Sequence, residues 1–484
     1  MDLFSDYSMT IGGQAVVTAR SHHVVNPATA EPFAAAPVAE AAHLNSAVAA
    51  ARSAFPSWRA LGIEKRRALL IDLARAIESR VAAFGALFLR EHGRPAEGST
   101  AEIMLAAKWL KAVARQNLPV DIAEDTDGRR VEIHHEPLGV VCAIVPWNFP
   151  FMLATWKIAP ALLTGNAMVL KPSPFTPLCT LKLGELSRDI LPPGVFNVVT
   201  GDDSLGPMMT SHPGFAKISF TGSTATGKRV MEAASKDLKR LTLELGGNDA
   251  AIVMPDVDLD KVVQQIFFGA FYNTAQVCIA TKRLYIHEDI YDAVRDRLHE
   301  MAKNATIGDG SIQEVVFGPI QNAPQYRRVL ALIDEARAQD LVLLEGKRVP
   351  EGKGYFIPIT LVDNPPEDSR VVTEEAFGPV LPLLKFNDLD DVIARVNNSE
   401  YGLAGAVWSN NIDQATAIAR RLETGTVWIN QNLQTGPHIP FAGFKQSGVG
   451  VENGQAGLLE FTQSKTIYIP KKVAQGIAGI AALT

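Results

Sequence analysis

Cysteine is scarce in this chain, three in 484 residues, and their wide spacing leaves no disulfide framework to staple a small secreted fold. Metal-site spacing is missing as well. There is no CxxC or HExxH, and His22-His23 and His134-His135 are adjacent pairs, so no metal is expected. Lys and Arg number 46 against 52 Asp and Glu, a net charge of −6 with no long basic block, which argues against a nucleic-acid partner. No N-terminal run of basic, apolar and then small residues marks a secretory leader, and with free thiols this points to the cytoplasm. The uncharged stretch Leu138–Trp156 is interrupted by Pro146, Asn148 and Pro150, which would strand backbone groups in lipid. It is expected to be buried strand, turn and helix. The small-residue tail Val473–Thr484 is too short to span a bilayer, so no membrane partner is expected. Repeats and low-complexity segments are absent.

What remains has the texture of a globular protein of two or three domains, 47% hydrophobic and 20% charged. Residues 40–52, 64–90 and 100–115 have helical patterning, and Arg129–His135 alternates as an exposed strand would. From Leu138 short apolar runs (139–145, 167–170, 195–200, 216–220, 241–244) alternate with helical stretches (153–163, 178–189, 227–235). That alternation predicts βαβ units and a parallel, doubly wound sheet of the nucleotide-binding kind. A second such series follows Gly246-Gly247, a candidate hinge, and Lys465–Ile469 alternates like an edge or arm strand.

Of the three thiols, Cys142 lies in an apolar run and Cys179 at the start of a helical stretch, both core positions. Cys278 differs. Polar Asn273, Thr274 and Gln276 precede it, and Lys282 and Arg283 follow within a turn and a half of an expected helix, close enough to favour a thiolate. Phe220-Thr221-Gly222-Ser223 runs from a strand into a helix whose positive end suits an anion. Its continuation to Gly227-Lys228 imitates a P-loop, yet Arg229 stands where magnesium needs Ser or Thr, and the dinucleotide spacing GxGxxG also fails. Pro146-Trp147-Asn148-Phe149-Pro150 ends a strand, and Asn148 is either a ligand donor or a helix cap. Lys171 meets ligand hydroxyls or is a solvated loop lysine. Glu244, before the paired glycines, is a buried general base or a salt-bridged strand end.

These blocks, with Glu375-Ala376-Phe377-Gly378-Pro379-Val380 and Pro440-Phe441 through Lys445-Gln446-Ser447-Gly448, resemble in order and separation the NAD(P)-dependent aldehyde dehydrogenase superfamily over roughly 300 residues. The resemblance implies an α/β fold: a Rossmann-like cofactor domain (1–128, 136–245, 434–462), an α/β catalytic domain (246–433) and a small β-strand oligomerisation arm (129–135, 463–484). It implies that Cys278 attacks the aldehyde carbon, that Asn148 and the Cys278 backbone N–H hold the oxyanion, and that Glu244 activates water against the thioester. Lys171, Ser173 and Pro174 fall at the adenosine ribose, and Glu375 and Phe377 at the nicotinamide end. Pro146, Trp147, Gly201, Phe220, Thr221, Gly222, Ser223 and Leu245 complete the cofactor site. Pro174 stands where NAD-preferring members often carry a ribose-binding Glu, so NAD and NADP are both candidates.

Phe151, Met152, Trp156, Val277 and Ile279 are expected to wall an apolar tunnel, with His438 at its mouth. They suit an aromatic or medium aliphatic aldehyde as small-molecule partner. The resemblance implies a homodimer or homotetramer joined through arm strands. A CoA-acylating enzyme generally lacks the base at Glu244. A catalytically silent protein on the same scaffold would not need Cys278, Asn148 and Glu244 together.

Overall fold

The computed structural model describes residues 2–471, so the tail Val473–Thr484 and the end of the expected arm lie outside the described residues. Among the described residues, no helix is long and apolar enough to cross a membrane.

Two sheets carry the molecule. The first has eight strands, and its five central ones run Phe196–Val198, Ala167–Lys171, Val140–Ile144, Lys217–Thr221, Arg240–Glu244, all parallel. In chain order this is 3-2-1-4-5, and the order reverses beside Val140–Ile144, the switch point where such sheets bind ligands beyond their carboxyl ends. Near-continuous burial of these strands explains their apolar sequences. The helices Ala41–Ala60, Ile63–Glu78, Val81–His92 and Ala96–Ala114 share one apolar core with the sheet. The expected helical stretch 64–90 is thus two helices, broken where Arg80 leaves helical geometry at φ −126°, ψ 14°.

The second sheet has seven strands in the order Leu343–Glu345, Thr360–Asp363, Val380–Phe386, Arg283–His287, Ala250–Val253, Ala404–Trp408, Thr426–Ile429, antiparallel only at the first pair. Only Leu245–Asp249 separates the last parallel strand of the first sheet from Ala250–Val253. Carboxyl ends of the first sheet therefore adjoin amino ends of the second. Gly246 and Gly247 make this crossing by close approach rather than looseness. A Cβ on Gly246 would lie 2.4 Å from Glu375 Oε2, and one on Gly247 would lie 2.9 Å from the Cys278 carbonyl.

The third sheet is antiparallel, with Arg129–Pro137 between Thr462–Pro470 and Asp121–Asp125. The two segments read as arm strands pair with each other, Lys465 opposite His134 and Ile469 opposite Arg130.

Candidate active site

Pro150 opens the helix Pro150–Leu163, its ring fixing the backbone where a first-turn N–H needs no partner. Asn148 sits two residues ahead, beyond the end of Val140–Ile144, and is 4% exposed. Its carbonyl accepts from Arg94 (2.6 Å), His92 Nε2 (2.9 Å) and Asn273 Nδ2 (3.3 Å). Its own Nδ2 donates to Gln276 O at 3.1 Å, leaving that nitrogen a second hydrogen. Arg94 is a buried fork, reaching also Asn273 Oδ1 (2.9 Å) and Glu102 (2.5 Å). Glu102 in turn accepts from the Phe151 and Met152 N–H groups at the start of the helix. The Asn148 loop and the turn before Cys278 are thereby joined.

That turn is no helix. After Phe271 the chain makes a 3-10 turn in which Asn273, Thr274 and Ala275 take φ of 53°, 55° and 60°, a left-handed run of three non-glycine residues. Such backbone persists only where surroundings over-determine it. Here Thr274 Oγ1 donates to Gly318 O, and the Gln276 amide joins Asn273 O, Pro319 O and the Gln321 N–H. Cys278 is consequently presented from a turn, half-buried, while Cys142 and Cys179 are fully buried. The neighbouring cations do not touch the thiol. Lys282 Nζ donates to the Cys278 carbonyl at 2.5 Å, and Arg283 is spent on Asn248 O and Val396 O. Burial pushes the Cys278 thiol up to about 12, with Lys282 opposing and Asp249, Glu375 and Glu244 adding to the rise. The expected helical Lys-Arg pair is therefore corrected: Arg283 is engaged elsewhere, and Lys282 opposes the rise without touching the sulfur.

Two cavities meet at Cys278. One, of about 400 Å³, is lined mainly by Asn148, Glu244, Cys278 and apolar groups, among them Met152, Trp156, Val277 and Ile279. The other, about 150 Å³, has Pro146, Trp147, Gly222, Ser223, Glu375 and Phe377 on its walls. Asn148, Leu153, Thr221, Leu245 and Cys278 face both. Glu244 ends its strand 4% exposed, with neither carboxylate oxygen hydrogen-bonded. Burial first, and the charge of Glu452 second, hold its carboxyl well above the ordinary range, opposed by Lys157. Lys157 and Glu452 form a buried ion pair of 2.5 Å.

Several expected residues lie elsewhere. Phe151 is wholly buried against Phe84 (centroids 5.2 Å), because one residue before Met152 points about 100° away around the helix. His438 is exposed and lines neither cavity; a turn closed by Ile439 N–H to Gly436 O carries it outward. Lys171, Ser173, Pro174, Gly201 and Phe220 also stand outside the smaller cleft. Phe220 is a buried ring packed on Gly222, where a Cβ would come within 2.5 Å. Lys171 and Ser173 are buried along the same sheet edge, and burial lowers the Lys171 ammonium to about 8. The carbonyl of Pro174 pairs with His22 Nε2 at 2.9 Å, and Gly201 packs against Leu205.

The smaller cleft fits a dinucleotide's nicotinamide end. The buried Thr221 hydroxyl has no partner, Glu375 offers a carboxylate, and Ser223 caps the helix Thr224–Ser235 beneath it.

The model of the aldehyde dehydrogenase family matches residues 16–467. The chain belongs to that family. A putative aldehyde dehydrogenase of Gibberella fujikuroi is 42% identical over 97% of this chain and 100% of its own length. Human retinaldehyde dehydrogenase 3 is 40% identical over 92% of this chain and 88% of its own. Among solved structures, the NAD+ complex of aldehyde dehydrogenase from Bacillus cereus superposes with a TM-score of 0.95 at 34% identity, covering 97% of this chain and 98% of that one. The protein is accordingly an oxidoreductase acting on aldehydes with NAD(P).

Some wall residues of this aldehyde dehydrogenase were missed from the sequence. Gln325 and Arg328 lie in the smaller cleft and hold the Glu375–Phe377 turn. Gln325 Nε2 donates to the Ala376 and Phe377 carbonyls (2.9 and 3.0 Å), and Arg328 donates to Glu375 O (3.0 Å). They sit three apart on an ordinary amphipathic helix, Ala323–Ala338, and nothing local marks them. Phe149, Tyr272, Leu433 and Phe441 line the larger cavity. Phe441 belonged to a recognised block, which was the available signal.

Proposed function

We propose that the protein oxidises an aromatic or medium aliphatic aldehyde to the carboxylic acid, with Cys278 as nucleophile. The observation that carries this reading is the convergence of an apolar cavity and a separate smaller cleft bearing Glu375 and Ser223 on one thiol, with Asn148 and Glu244 beside it. The Cys278 thiol gives up its proton to solvent as its sulfur adds to the aldehyde carbon, and the oxyanion so formed is held by the remaining Asn148 N–H and the Cys278 backbone N–H. A dinucleotide held at the smaller cleft by Glu375 and Phe377 would supply the hydride acceptor, and once hydride has left that carbon Cys278 carries a thioester. Glu244 takes a proton from water, the hydroxyl adds to the acyl carbon, and the C–S bond breaks to release the acid and the thiol. Glu244 lines the larger cavity and not the smaller cleft, which supports an approach of water from the larger cavity.

The walls Met152, Trp156, Val277, Ile279 and Phe441 support an apolar substrate, as does the relative whose name says it acts on retinaldehyde. Glu375 and Phe377 would hold the nicotinamide ribose and ring, and Lys171 the adenosine ribose. The cofactor is NAD or NADP, with NAD slightly favoured and Pro174, in place of an acidic residue, leaving NADP open. The division into cofactor domain (1–128, 136–245, 434–462), catalytic domain (246–433) and arm (129–135, 463–484), a dimer or tetramer, and a cytoplasmic location complete the reading.

An aldehyde panel run with both cofactors, with and without CoA, tests it. We expect NAD(P)H formation without CoA, highest on aromatic or medium aliphatic aldehydes, and none from Cys278→Ala. Obligatory CoA, or best turnover of succinic semialdehyde, would overturn the hydrolytic or the apolar reading respectively.

A further inference from the structure

Lys282 is 5% exposed, and an ammonium in such a place must be compensated on every side. Its Nζ donates to the carbonyls of Cys278 (2.5 Å) and Ala280 (3.2 Å) and lies 3.6 Å from Glu375 Oε1. That same carboxylate oxygen accepts the Gly247 N–H at 3.2 Å. The Lys282 backbone N–H donates to Asp249 O (2.9 Å), so the residue is pinned at both ends. Asp249 is itself buried, one oxygen taking the Ala404 N–H at 3.1 Å and the other without a partner, and burial raises its carboxyl to about 7. Three segments therefore meet on one residue: the turn presenting Cys278 and the loop carrying Glu375 into the cofactor cleft at its side chain, and the crossing between the sheets at its backbone.

We infer that Lys282 is a positioning residue that fastens the nucleophile turn to the Glu375 loop and sets a positive charge against the carboxylates around the thiol. The inference rests on the reading of Cys278 as nucleophile and Glu375 as cofactor ligand, and it adds a coupling between them. The charged groups acting on the thiol come from four segments. Lys282 favours the thiolate, while Asp249, Glu375 and Glu244 disfavour it. Without the ammonium, two carbonyls and Glu375 would lose their compensation, and Glu375 would be free to leave the cleft wall. Arg is no equivalent. A planar guanidinium keeps the charge but does not reproduce a point ammonium between two carbonyls of one turn.

The test uses alkylation of the folded apoenzyme by iodoacetamide across pH, with Cys278→Ala as blank, and NAD+ affinity by calorimetry. Aldehyde turnover is not read, so a wrong substrate assignment leaves the result intact, and an unaltered blank would indict Cys278 itself. Lys282→Met should alkylate about tenfold more slowly at a given pH, the equivalent of about one unit in the thiol, and bind NAD+ about three- to tenfold more weakly. Lys282→Arg should recover the alkylation rate and leave the NAD+ affinity reduced. Glu375→Gln supplies an independent arm if the Met variant does not fold, and should alkylate faster than the natural enzyme. Wild-type alkylation in Lys282→Met, equal slowing in the Arg and Met variants, or no acceleration in Glu375→Gln would overturn the inference.

Discussion

Replacing Glu244 by Gln keeps the shape of the larger cavity and removes the group assigned to water activation. The first oxidation should proceed and release about one equivalent of NAD(P)H per site, followed by a steady rate lower by about 10²–10⁴. Stopped-flow absorbance reads both phases, and a wild-type steady rate would sink the assignment. Because burial raises this carboxyl, thioester hydrolysis in the natural enzyme should quicken as pH rises and the proton leaves. At this scale the sequence was informative about identity and poor about surroundings. Cys142 and Cys179 read as core, and both are buried. Cys278 stood out through its polar neighbours, but the direction in which Lys282 and Arg283 point depends on contacts with Asn248, Asp249 and Glu375. Those partners come from segments 30 or more positions away, and no local pattern reports them.

Helix ends show how elements are held around the site. The helix Leu178–Ser187 lacks a capping side chain of its own at Pro177. Glu91, from the end of Val81–His92, takes its place by accepting the Leu178 and Cys179 N–H groups at 2.7 and 3.0 Å. Burial nevertheless raises the Glu91 carboxyl from its ordinary 4.5 to about 7. The folded state thus holds a proton that the unfolded chain has released between those values. Stability from this group is full below pH 4.5 and lost as pH rises towards 7, by about 3 kcal/mol if the whole shift is expressed. Glu91→Gln should flatten the fall in urea-unfolding free energy across that window, and a variant with the wild-type slope would refute the linkage. The helix Pro150–Leu163 marks the limit of reading elements from sequence. The sequence pattern starts it at Leu153 rather than Pro150, and all but one of its residues are buried, so periodicity could not tell the core-facing Phe151 from the cavity-facing Met152.

For the whole molecule, the strand–helix alternation sufficed for the two mainly parallel sheets because their central strands are almost wholly buried and therefore read as apolar runs. A crossing between two α/β series after Glu244 showed in the sequence, at Gly246-Gly247. The contents of that junction did not, since Gln325 and Arg328 arrive from a distant helix. Two strands of the third sheet, Arg129–Pro137 and Thr462–Pro470, were legible from alternation, and the second is an edge strand that keeps a mostly exposed side, with Tyr468 65% exposed. If this edge joins subunits, a chain ending at Phe461 should sediment as a smaller species than the intact protein in analytical ultracentrifugation. An unchanged sedimentation coefficient would remove the arm from the assembly.

The two cavities share five side chains and otherwise have separate walls. Separate walls predict that a guest in one cavity does not bar the other, so acid and reduced dinucleotide should depart in either order. A reversible inhibitor seated among Trp156, Val277 and Phe441 should compete with aldehyde while leaving the apparent KM for the dinucleotide unchanged. A reactive compound entering by that route would meet the sulfur with the carrier still in place, and the dead enzyme would retain it.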